Sequence, residues 1–113
     1  MPDFGTPFAG LAHGRKLTHE ELVRAIRFLV AAEYEAIQLY TQLAESIDNR
    51  LAQTVLKDIA DEERVHAGEF LALLRHLVPD EEELYAKGAG EVKEMMEELQ
   101  KSCKGKKGKG CQM

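Results

Sequence analysis

The chain has 113 residues, 44% of them hydrophobic and none tryptophan, which fits one small domain. Its formal charge of −5 is uneven: residues 1–100 carry −10, whereas residues 101–113 hold five lysines, no acid, and so +5. An acidic body argues against general nucleic-acid binding and suits the attraction of cations. No apolar run approaches the ~20 residues that span a bilayer, so no membrane partner is expected. The opening MPDFGTPFAGLAHGRK lacks the charged-then-apolar order of a signal peptide, which points to the cytosol or a compartment reached without such a signal.

Residues 1–17 contain three of the glycines and two of the three prolines, and read as a flexible N-terminal arm. Within that arm, Phe4, Phe8 and Leu11 are available to pack on a neighbour. Thr18 and Glu21 fit a capping box, predicting a helix from His19 to about Ile47. Asp48-Asn49-Arg50 favours a turn and a new helix start, so a second helix is expected from Arg50 to Leu77. Pro79-Asp80 breaks the pattern. Beyond it, a short helix over 80–87, a hinge at Gly88-Ala89-Gly90 and another short helix over 91–101 are expected, the last with Val92, Met95, Met96 and Leu99 apolar. Residues 18–100 thus form the helical domain, and 101–113 a flexible Lys/Gly-rich tail. The tail's Cys103 and Cys111 fall short of the four ligands of a structural zinc site. They are expected as free thiols in a reducing cytosol, with a disulfide or loose metal binding as the alternatives.

Two helices of roughly 28 residues are each about 42 Å long, and such a hairpin cannot cover its own apolar stripes. A homodimer completing a four-helix bundle is the simplest remedy. On the second helix, Leu56, Ile59, Glu63, His66, Phe70, Leu73 and Leu77 advance in steps of three and four along one face. Five of these seven are apolar, so Glu63 and His66 stand out. On the first helix, Ile26, Val30, Glu33, Ile37, Tyr40, Ala44 and Ile47 trace a face interrupted by Glu33 and Tyr40. If the chain reverses near position 48, residues whose numbers sum to about 96 lie level, and Glu33 faces Glu63.

A buried carboxylate without a partner costs several kcal/mol, and a metal ion is the leading means of offsetting that cost. Glu63 and His66, three apart, project from the same side of a helix. With Glu33 they make a three-ligand half-site. Di-metal carboxylate bundles need one Glu from each of two helices and Glu-x-x-His from each of two more, so two-fold pairing of this chain doubles the set. Mixed oxygen and nitrogen ligands suit Fe(II), with Mn(II) or Zn(II) as competitors. The competing structural account is a Glu–His network that only fixes helix register. Tyr40 either serves the ligands through its hydroxyl or is a packed tyrosine. Glu35 lies off the seam, as do Asp61 and Glu62, and His13, His19 and His76 fall outside the level set.

The segment Glu33-Tyr34-Glu35-Ala36 through Tyr40, followed by Asp61-Glu62-Glu63-Arg64-Val65-His66-Ala67, resembles the encapsulated ferritins, relatives of rubrerythrin within the ferritin-like group. The likeness covers roughly residues 18–100. It implies an all-α protomer, a two-helix antiparallel hairpin plus a short C-terminal helix, with a ferroxidase centre formed between two chains. It also implies a decameric ring of dimers housed in an encapsulin nanocompartment, oxidising Fe(II) for storage in the shell. By position, Glu33, Glu63 and His66 match the iron ligands and Tyr40 the tyrosine beside them. Glu35 matches one acidic residue of a metal-uptake site, whereas Ala32 stands where some members have a second Glu. Lys101 to Met113 lacks the apolar residues around a Gly that mark that family's cargo-loading peptides. The alternatives carried forward are a rubrerythrin-like enzyme that reduces peroxide and a non-catalytic helical assembly module.

Overall fold

The computed structural model describes residues 14–105, and these are all-α, with three helices and no strand among the described residues. Expectations for Phe4, Phe8, Leu11, His13 and Cys111 fall outside the described residues. The helices are α1 (His19–Glu45), α2 (Arg50–Leu77) and α3 (Glu81–Gly105). The chain divides into two compact units, at Val78 and Pro79. The first contains the α1–α2 hairpin and the second contains α3.

The start of α1 is a capping box. The Thr18 hydroxyl accepts from the Glu21 backbone N–H at 3.2 Å, and the Glu21 carboxylate accepts from the Thr18 N–H at 2.9 Å. Arg15 grips the same carboxylate with both guanidinium nitrogens, at 2.8 and 3.1 Å. These contacts, the Arg15 one first, hold the Glu21 carboxyl down at about 2, well below its ordinary 4.5.

α1 ends at Glu45, two residues before the expected Ile47, a difference typical of frayed helix termini. The Asn49 side chain then caps α2 by accepting from Ala52 N–H at 2.9 Å. Gln53 ties the turn together, its amide donating to the carbonyls of Ile47 at 2.5 Å and Ala44 at 3.3 Å. One side chain of α2 thereby satisfies acceptors that the end of α1 leaves open.

The hairpin is held by a seam of seven-residue repeats. α1 buries Val23, Val30 and Ala44, and also Ala25 and Ile26; α2 buries Ala60, Ala67 and Leu74. Val23, Ile26 and Leu74 form one core cluster, with Leu29, Phe70, Leu77 and Val78 packed against it. The expected α1 face is the observed one, but the α2 seam is rotated from expectation. Its buried row is 60, 67, 74, and the row 59, 66, 73 lies one residue to the side, with Leu73 41% exposed. The reason is size. Alanines at 60 and 67 let two long helices approach closely, and a sequence reading that weighs large apolar residues passes over them.

α3 differs more. It runs unbroken for 25 residues through Gly88-Ala89-Gly90, so no hinge and no short helix is present. Glycine weakens a helix by roughly 1 kcal/mol per residue, yet breaking it there would require a second costly nucleation. Glu81, Glu82 and Glu83 favour its first turn through the helix dipole, and the Tyr85 hydroxyl donates to the Glu81 carboxylate. The helix also takes in Lys101 to Gly105, which the sequence reading placed in the tail. Cys103 is disulfide-bonded, correcting the expectation of a free thiol. Among the described residues, no helix is long and apolar enough to cross a membrane.

Candidate metal centre

Antiparallel pairing brings the expected residues together. Glu33 of α1 and Glu63 and His66 of α2 each offer one ligand atom within 4.8 Å of the other two. His66 Nδ1 lies 3.7 Å from the Glu63 carboxylate, too long for a direct hydrogen bond. Glu33 Oε2 is buried without any hydrogen-bond partner. Three donor groups therefore converge while leaving an acceptor unsatisfied, the reverse of a closed Glu–His network. The donor set, two carboxylates and an imidazole, fits a first-row divalent cation such as Fe(II), Mn(II) or Zn(II).

The cluster is open on one side. Glu63 is 20% exposed and His66 is 50% exposed. His66 belongs to the row Ile59, His66, Leu73 beside the buried row of α2. On α1 the corresponding row is Leu22, Leu29, Ala36 and Leu43. Both rows precede the seam by one residue, and on antiparallel helices this puts them on the same side of the hairpin. Of these rows, Leu22, Leu43 and Leu73 are exposed. Exposed apolar residues thus lie on the same side of the hairpin as the three-residue cluster.

Tyr40 occupies the seam row of Glu33, two turns on, and is partly buried. Glu35 is partly buried and stands outside the three-residue cluster. Asp61 is paired with Arg64 at 2.7 Å on the surface, and Glu62 is exposed. His19 and His76 are exposed and also stand apart. Glu69 was missed by sequence reasoning. It joins Glu33, His66 and Phe70 in lining an open pocket beside the cluster. Its signal was present, since it follows His66 by three residues on the same helix.

The family model described as Rubrerythrin matches residues 20–108. The chain belongs to the rubrerythrin family. Two curated relatives narrow the likeness. A ferritin-like–encapsulin shell fusion protein from Pyrococcus furiosus is 41% identical over 78 residues, covering 69% of this chain and 23% of that protein. An encapsulin nanocompartment cargo protein from Myxococcus xanthus is 42% identical over 75 residues, covering 66% of this chain and 57% of its own. The chain therefore spans about a quarter and just over half of these two relatives. The crystal structure of the encapsulated ferritin domain from Pyrococcus furiosus superposes with a TM-score of 0.70 at 39% identity, covering 76% of this chain and 89% of that one. The three helices thus have the ferritin-like fold.

Proposed function

We propose that this rubrerythrin-family chain is a ferroxidase, oxidising Fe(II) to Fe(III) at a di-iron centre completed by two copies. The observation that carries this reading is the buried, unpartnered Glu33 Oε2 beside Glu63 and His66 on the border of an exposed apolar face. Burying that face against its own copy supplies the hydrophobic driving force for association. The same step brings a second Glu33, Glu63 and His66 to the first, the ligand count of a di-metal carboxylate bundle.

As substrate, two Fe(II) ions held together would each give one electron to a single O2, which with two protons from water would leave as hydrogen peroxide while both ions become Fe(III). The residues do the rest. Glu33 and Glu63 supply negative charge that favours the more highly charged product ion. His66 holds one ring nitrogen toward the site, and the apolar face excludes bulk water once paired. Tyr40, on the Glu33 row, is assigned the role of orienting a carboxylate of the assembled centre. Exposed Glu62 and Glu69 on the approach attract cations, and Glu35 is assigned to the same uptake role. Association with an encapsulin shell, as the names of both curated relatives suggest for them, is part of the same proposal. So is a ring of dimers such as a decamer.

Anaerobic Fe(II) titration followed by air tests the reading. Uptake of about one iron per chain with rapid Fe(III) formation is expected. Turnover with peroxide alone identifies a rubrerythrin-like peroxide reductase, and absence of binding identifies a non-catalytic assembly module. Glu63→Ala is expected to abolish oxidation.

A further inference from the structure

α3 presents an apolar stripe of its own. Leu84, Tyr85, Val92, Met95, Met96 and Leu99 recur at helical spacing, each between 44% and 67% exposed, and no residue of α3 is buried. Gly88 falls in the middle of that stripe. A Cβ placed there meets nothing within 4 Å, so packing within the chain does not require glycine at this position. Glycine is nevertheless the least favourable residue for a helix interior after proline.

We propose that α3 pairs antiparallel with α3 of a second copy, about a two-fold axis at Val92. With Val92 opposite Val92, positions whose numbers sum to about 184 are level. Tyr85 of one copy then meets Leu99 of the other, and Met96 meets Gly88. Met95 falls against the Gly88-Ala89 step. The stripe is self-complementary: two long thioethers from each copy fill the space that the small residues of the other leave open. Gly88 is then explained as the point of close helix approach.

Charge sets the direction. α3 opens with Glu81, Glu82 and Glu83 and carries Lys101 and Lys104 near its end. Antiparallel pairing places each acidic end beside the partner's basic end and opposes the helix dipoles; parallel pairing would put like beside like. The contact uses α3 alone, so it stands or falls separately from the metal centre.

The test uses the full chain with Cys103→Ser and Cys111→Ser. In that background Val92→Cys is expected to form an interchain disulfide under mild oxidation, whereas Glu94→Cys, on the opposite side of α3, is not. In the otherwise unaltered chain, Val92→Glu is expected to reduce the native mass to that of a smaller assembly, with helix content unchanged. Equal cross-linking at 92 and 94, or an undiminished mass for Val92→Glu, overturns the proposal. Because α3 has no buried residue, neither change threatens the hairpin fold.

Discussion

Glu63 and His66 sit 3.7 Å apart on neighbouring turns of α2 and project from one side of it, yet they differ in exposure, 20% against 50%. Glu63 lies in the seam with α1, and His66 lies on the exposed row beside it. The pair therefore straddles the border between the packed interior of the hairpin and the apolar face that the hairpin leaves open. In the proposed centre, a second copy completes the site at that border.

The unsatisfied Glu33 oxygen predicts a trade of stability against binding. Glu33→Leu should raise the stability of the metal-free chain by about 1–3 kcal/mol, since a buried acceptor without a donor is removed. The same variant should weaken Fe(II) or Zn(II) binding by more than ~100-fold, as loss of a direct ligand exceeds the losses seen on altering residues behind one. Thermal melts of the apo protein and a metal titration check the two halves. A destabilised apo variant would show that Glu33 is satisfied after all.

Metal should stabilise the folded chain and its pairing together. At free metal of 100 times Kd the gain is about 2.7 kcal/mol, and a chelator should reverse it. Native mass spectrometry with and without Zn(II) reads the pairing, and calorimetry reads the stability. Stabilisation of a chain that stays monomeric would contradict a shared centre.

Acid should weaken the N-terminal cap of α1. Glu21 is held down at about 2 by Arg15 and the Thr18 N–H, against 4.5 ordinarily. A lowered carboxyl contributes its stability above the unfolded value and loses it as pH falls through the folded one. The contribution of Glu21 should therefore be intact above 4.5 and fade between 4.5 and about 2. Glu21→Gln should flatten the melting-temperature profile across that window. An unchanged slope would remove Glu21 from the account.

Enlarging the small residues of the seam should disrupt it. Ala60 is 1% exposed and Ala67 is 4% exposed, so leucine at either has no room without moving α1 away from α2. A loss of about 1–3 kcal/mol is expected from overpacking. Urea denaturation measures it. Ala→Leu at these positions should also weaken metal binding, although neither alanine is a ligand.

The hairpin was legible because its signals are local. The Thr18–Glu21 cap, the Asn49 cap and the four-and-three spacing each act within a few residues, and both caps and the expected α1 face appear in the structure. Convergence of Glu33, Glu63 and His66 was legible because a tight reversal fixes which residues are level. The rotation of the α2 seam was not, since it depends on alanines whose value is the room they leave. α3 was misread for a related reason: Gly88 and Gly90 are weak helix breakers, and only the whole run decides whether the helix continues. Glu69 was overlooked because it carries no motif and gains meaning only from its place beside His66.

Ala60 and Ala67 flank Glu63 on the seam, so two methyl groups set how far apart α1 and α2 stand at the height of the ligands. In the proposed centre, the span between Glu33 and Glu63 is thus governed by residues that would touch no ion. Exchanging these alanines for glycine or serine would retune the distance across the cluster while leaving every donor atom in place. Variation in ion preference among such hairpins has a route that leaves the ligand set untouched.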